Sequence, residues 1–235
     1  MARKFVIHIP VADLRKEPKV LLEQDYSHQD NRETQLLFGE RAELIEEQGE
    51  WLKIAALEQL CFDTLNDWYP YRGWVHRTEI KEVAYFSEAK KVVCAPFVQI
   101  GGKTLSYGTL LSDETDENAS IRKIPKYPCR STLVDEAKCF LEVPYLWGGR
   151  SFPLKNSISS VDCSGLINLL YRAQGVSIPR NAHEQYLKSI PTSLLKAGDP
   201  LFLAKEKKIS HVLLKMDDKS FIESPETGKY VRMLT

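Results

Sequence analysis

The sequence has no net formal charge, since 32 Lys and Arg stand against 32 Asp and Glu. It therefore lacks a basic field to draw in nucleic acid and an acidic one to repel it, and a pocket ligand is expected rather than a polyanion. Long apolar runs are missing as well. The N-terminal apolar stretch, residues 5–9, contains His8 and is soon followed by Asp13, Arg15, Lys16 and Glu17. That pattern fits neither a signal peptide nor a membrane span, and no other stretch approaches the ~18 apolar residues a span needs. The expectation is a cytoplasmic protein with no membrane partner. Cysteines are few: Cys61, Cys94, Cys129, Cys139 and Cys163, with no Cys-x-x-Cys pair and no ligand-like histidine spacing. Structural zinc is not expected, nor any other metal or organic cofactor, and the odd count fits reduced thiols.

What is present is an ordinary globular balance, 43% hydrophobic and 27% charged over 235 residues, enough for one large domain or several small ones. The first ~80 residues read as short strands, at residues 5–9, 41–46, 51–54 and 73–75, punctuated by Gly39-Glu40 and Gly49-Glu50. This is a small-barrel pattern. Residues 112–130 are polar, acidic then basic, with two prolines, and read as a linker or a long hairpin tip. The period then changes. Leu133, Ala137, Phe140 and Leu141 share a helical face that starts at Ser131 or Thr132 and ends before Pro144. A second helix is predicted over residues 163–174, with Leu166, Leu169, Leu170 and Ala173 inward and Gly175 as its C-terminal stop. Strands at residues 212–216 and 219–222 flank Asp217-Asp218, so the last third reads as α+β.

The run Asp162-Cys163-Ser164-Gly165-Leu166 places a thiol in the first turn of that second helix. Unpaired backbone N–H groups and the positive end of the helix dipole favour a thiolate there, and the same N–H groups suit an oxyanion. A thiol nucleophile also needs a base, and two histidines lie downstream. His183 falls in an early helical turn, and His211 opens a strand. A strand-borne base facing a helix-borne thiol is the papain-like arrangement, but spacing alone leaves both histidines open. A buried cysteine with an exposed histidine is the ordinary alternative.

Two resemblances extend this reading. The segments VADLRKEP, TQLLFGERAELIEEQGEWLKI and YRGWV resemble a bacterial SH3-like domain, and VVCAPFVQI with LSYGTLLS resembles a fainter second copy. One irregular β-domain covering both is the other reading. From Ser131 onward, Tyr-x-Trp-Gly-Gly, Asp-Cys-Ser-Gly-Leu, Pro-Arg-x-Ala-x-x-Gln, Gly-Asp and Ser-His-Val follow in order, similar to the NlpC/p60 cell-wall cysteine endopeptidases. SH3-like modules ahead of such a domain resemble the branch that trims muropeptides in the cytoplasm. The resemblance implies an α+β papain-like catalytic domain at residues 128–235, preceded by one or two small all-β SH3-like barrels: one at residues 1–82, and a second module with linker at 83–127. It implies cleavage of the γ-D-glutamyl bond to diaminopimelate or lysine in peptidoglycan stem peptides with a free L-Ala amine. By the same resemblance Cys163 is the nucleophile, His211 the base, and Asp162, Ser164 and Tyr145 hold the substrate. Trp68, Tyr69 and Tyr71 become candidates for a wall closing one end of the groove. Trp147 reads as an ordinary core aromatic, and Gly148 and Gly149 as backbone requirements.

Three features depart from the family pattern. Twelve residues after the base, where a histidine is usual, stands Glu223, a carboxylate able to orient an imidazole. Asn181 replaces an aspartate, and residues 150–161 make a longer loop, expected beside the substrate groove. The chain stops at Thr235, about where a last strand is expected to begin. Glu223 also motivates an alternative, a muropeptide-binding or scaffold protein with impaired chemistry. A thiol amidase or acyltransferase is a third reading. Oligomeric state is not legible.

Overall fold

The computed structural model describes residues 3–19, 31–65, 67–155 and 157–235. Seven strands come first: β1 (Lys4–Ile7), β2 (Val11–Arg15), β3 (Arg32–Leu37), β4 (Arg41–Gln48), β5 (Trp51–Phe62), β6 (Trp68–His76) and β7 (Ile80–Val83). They pair in the order β3-β2-β6-β5-β4-β1-β7, every neighbouring pair antiparallel. Alternation puts Phe5, Ile7, Leu52, Ile54 and Val75 on one face, where they form a core with Leu14 and Leu36. Among the described residues the expected closed barrel is not found, because the sheet is open with β3 and β7 as edges. Edge β3 is covered instead by the C-terminal unit, to which it gives Thr34 and Gln35.

The next strands are β8 (Lys91–Val93), β9 (Phe97–Ile100), β10 (Lys103–Ser106), β11 (Leu110–Leu111) and β12 (Ile121–Lys123). They make a β10-β9 hairpin and a three-stranded sheet ordered β11-β8-β12. The expected linker over residues 112–130 therefore carries a strand, because Ile121 must be buried with Val93 and Leu105.

The C-terminal unit holds α1 (Arg130–Ala137), α2 (Cys163–Ala173), α3 (Ala182–Lys188) and the strands β13 (Pro200–Lys205), β14 (Lys208–Lys215), β15 (Phe221–Glu223) and β16 (Arg232–Leu234). The strands lie in sequence order as one antiparallel sheet. A last strand is formed at Arg232–Leu234, with Val231 fully buried beside it. On α2, Leu166, Leu169, Leu170 and Ala173 bury against Val212, Leu214 and Ile222 of the sheet. Each buried leucine contributes roughly 1.5–3 kcal/mol. The same core takes in Leu37 of β3 and Val92 of β8, so the units are packed together and not strung on a linker. No helix among the described residues is long and apolar enough to cross a membrane.

Candidate active site

Asp162 starts α2 as its N-cap, and its side chain accepts the Gly165 backbone N–H at 2.6 Å, which fixes where the helix begins. Cys163 is the first helical residue. Gly165 cannot carry a side chain, because a Cβ there would lie 2.1 Å from the Gly149 carbonyl oxygen. Gly148, at φ +69°, lets the chain turn against Arg32, whose Cγ would lie 2.9 Å from an added Cβ. A Cβ on Gly149 would lie 2.6 Å from the Ser160 carbonyl oxygen, so Gly148 and Gly149 serve the backbone, as expected, and Gly165 does the same. Trp147 does not pack in the core but is exposed at 55%, because the turn aims it outward.

Cys163 and His211 line one groove of about 650 Å³, together with Tyr145, Asp162, Ser164 and Trp147. The backbone N–H of Val212, next to His211, reaches the Cys163 sulfur. His211 lies on β14 and Glu223 on β15, and the imidazole Nε2–H donates to Glu223 Oε2 at 2.6 Å. That bond leaves Nδ1 as the free ring nitrogen. The other oxygen of Glu223 accepts from Arg232 Nε at 2.9 Å and from its terminal nitrogen at 2.8 Å. His183 is an exposed residue of α3 at the rim of the same groove.

Burial, the largest influence on Cys163, and the negative charge of Asp162 push its thiol up to about 12. The N–H groups of Val212 and Ser164 and the Arg180 guanidinium favour the thiolate but do not win. The helix N-terminus alone argued for a depressed value, and here desolvation overrides it. The low thiol is Cys129, exposed ahead of α1 and brought to about 7 by hydrogen bonds from Ser131 and Thr132. Burial, and then the charges of Asp162 and Cys163, push the half-buried Tyr145 phenol upward.

Asp162 and Ser164 sit in the groove but are not free. Arg180 donates to both carboxylate oxygens of Asp162, at 3.1 and 2.8 Å, and to Ser164 Oγ at 2.9 Å. Ser164 Oγ in turn donates to Asp162 at 3.2 Å. Arg180 is itself held by Thr34 of β3 at 2.6 Å. From Thr34 a buried polar chain continues through Gln59 and Glu40 to Arg150. Glu33, also on β3, lines the groove, and its carboxylate accepts the Tyr71 hydroxyl at 2.7 Å. No ion pair to Glu33 is present among the described residues.

Of the three aromatics expected as a wall, only Tyr71 lines this groove. Tyr69 borders a neighbouring depression, and Trp68 packs on Phe62 under Lys188. No described residue of the 150–161 loop lines the groove; Asn156 lies outside the described residues. The loop turns toward the N-terminal sheet, where Gln35 donates to the Ile158 carbonyl and Arg150 pairs with Glu40. Asn181 lines the groove and donates to Glu184 at 3.0 Å. Sequence reasoning missed Glu33, Arg180 and Arg232. The Pro-Arg pair was visible as a motif, but nothing local tied it to Asp162.

Comparison with known proteins agrees with this architecture. The NlpC/P60 family model matches residues 142–234. A gamma-D-glutamyl-L-lysine dipeptidyl-peptidase of Bacillus subtilis (strain 168) is 30% identical over 232 residues, covering 86% of this chain and 75% of that protein. The protein of the same name from Bacillus cereus (strain ATCC 10987 / NRS 248) is 26% identical over 245 residues, covering 86% and 70%. The crystal structure of an NlpC/P60 family protein from Bacillus cereus ATCC 10987 matches 98% of this chain and 93% of its own, with a TM-score of 0.81 and 22% identity, which shows a common fold. The likeness runs through the N-terminal strands as well as the α+β unit, and the chain belongs to the NlpC/P60 family.

Proposed function

We propose that this protein is a cysteine endopeptidase that cuts the γ-D-glutamyl bond to diaminopimelate or lysine in peptidoglycan stem peptides bearing a free L-Ala amine. The observation that carries this is a helix-borne Cys163 and a strand-borne His211 in one groove, with Nε2 of His211 held by Glu223. Because the resting thiol is protonated, His211 acts as a general base. Nδ1 takes the thiol proton as the sulfur attacks the γ-carbonyl, and the Cys163 N–H donates a hydrogen bond to the oxyanion. The imidazolium then protonates the leaving amine, and water, activated by the same ring, releases the thioester.

The free amine calls for a carboxylate in the groove. Asp162 was the residue expected there, but Arg180 already neutralises it. Glu33, oriented by Tyr71, has no cationic partner among the described residues and is the better match. The N-terminal strands, in the SH3-like reading, then form the wall that selects short free peptides. The names of the Bacillus relatives favour lysine or a close analogue after the glutamyl residue.

Mass spectrometry of L-Ala-γ-D-Glu-L-Lys and its diaminopimelate analogue after incubation tests the reading. Release of L-Ala-γ-D-Glu by the native protein, and none by Cys163→Ala, is expected. Binding without turnover by the native protein supports the scaffold reading that Glu223 motivates.

A further inference from the structure

Glu223 is a buried carboxylate, 5% exposed, whose two oxygens are used differently. Oε2 faces the His211 ring at 2.6 Å, and Oε1 takes both N–H bonds from one edge of the Arg232 guanidinium. The pairing follows from strand register. Glu223 on β15 lies directly opposite Arg232 on β16, so their side chains leave the sheet on the same face. The position of β16 is fixed in turn by its neighbour Val231, which exchanges backbone hydrogen bonds with the 142–143 segment at 2.7 and 3.0 Å.

The geometry points to Arg232 as a positioning residue that pins Glu223 toward His211 and offsets part of its charge, so setting the pH at which the imidazole works as a base. This rests on the reading of Cys163 and His211 as nucleophile and base. A buried carboxylate on Nε2 stabilises the imidazolium, which helps once the thiol proton has been transferred. The same field acts before the reaction, where a ring that is already protonated cannot accept the thiol proton. A guanidinium on the far oxygen draws charge away from Oε2 and pins Oε1 with two converging N–H bonds. The arrangement keeps an acceptor for the imidazolium without an uncompensated negative charge.

Other titratable and charged groups in the groove are Asp162 and Cys163 at the start of α2, His183 from α3, Tyr145, and Lys16, Arg32, Glu33 and Tyr71 from the N-terminal unit; Glu226 lies in the turn after β15. Glu226 is an exposed carboxylate held by Lys229 and also feels His211 and Arg232. Arg232 contributes the only positive charge bonded to Glu223 among the described residues, and its side chain is half exposed.

The test is a set of pH–rate profiles on the stem peptide for the native protein, Arg232→Met, Arg232→Lys and Glu223→Gln. Thermal unfolding confirms that each variant is folded. Arg232→Met is expected to move the acid limb up by about half a pH unit, because solvent screens the half-exposed charge it removes. Its plateau kcat should fall about threefold to tenfold with KM little changed, as Glu223 loses its fixed rotamer. Arg232→Lys keeps the charge but not the fork, so its acid limb should stay near the native one while kcat falls partway. Glu223→Gln should move the acid limb down, and adding Arg232→Met to it should shift the limb no further. Superimposed native and Arg232→Met profiles, or a change confined to KM, would overturn the inference. If the native protein cuts no peptide, the proposed function fails separately. The pH dependence of Cys163 alkylation by iodoacetamide, native against Arg232→Met, then decides: a shifted curve supports the role of Arg232, and superimposed curves end it.

Discussion

Alkylation gives a direct measure of the resting thiols. Cys129 is exposed with its thiol at about 7, and Cys163 stands at about 12. At pH 7 about half of Cys129 is thiolate, against on the order of one part in 10⁵ of Cys163. The more basic thiolate is the better nucleophile, and a Brønsted slope of about 0.4–0.5 over that gap recovers roughly two orders of magnitude. Iodoacetamide should therefore modify Cys129 roughly a few hundred times faster than Cys163. A time course at pH 7, quenched and read by peptide mapping, measures both rates in one sample. Raising the pH should narrow the gap, because Cys129 is already largely ionised while the Cys163 thiolate still grows tenfold per unit. Labelling of Cys163 before Cys129 would refute the reasoning. It would mean that His211 already holds the proton in the resting protein, as a thiolate–imidazolium pair that outweighs burial.

The remaining expectations concern single side chains. His211→Ala should lower kcat by ~10²–10⁴-fold and His183→Ala by less than about twofold, since only the first ring is held by a carboxylate; steady-state kinetics on the stem peptide separates them. Asp162→Asn keeps an N-cap acceptor but strands the buried Arg180 charge, so urea denaturation should show a loss of about 3–5 kcal/mol. Glu33→Gln should raise KM for the free-amine peptide at least tenfold and narrow its advantage over the N-acetylated peptide. Unchanged discrimination would move the amine site elsewhere in the groove.

Much of this site was legible because its signals are local. Asp162, the thiol and the small residues after it announce a helix start, and the leucines at helical spacing give that helix a buried face. His211 and Glu223 are twelve residues apart on adjacent strands, a separation that a hairpin turns into contact. What was not legible depends on tertiary neighbours. The N-cap role of Asp162 had a local signal that could have been read. Its partner Arg180 is eighteen residues away, beyond α2 and the segment that follows it, and Thr34 lies in another unit altogether. The thiol was expected low because the helix terminus is visible in sequence, whereas the burial that raises it is set by how the sheet closes over α2. The first β-unit shows the same limit. Short strands and turns were correctly placed at several points, but whether they close into a barrel depends on what covers edge β3.

The polar chain from Asp162 through Arg180, Thr34, Gln59 and Glu40 to Arg150 bears on how such a protein can change over evolutionary time. A unit that touches its neighbour only through leucines can be exchanged for another of similar shape. Here Arg150 and Arg180 each have partners divided between the N-terminal strands and the α+β unit. Replacing the strands with a foreign module would leave Arg150 without the Glu40 carboxylate and Arg180 without the Thr34 hydroxyl, at the foot of the helix that carries Cys163. Change in one unit therefore bears on the other, since a substitution at Thr34 or Glu40 removes a partner from a buried guanidinium of the α+β unit.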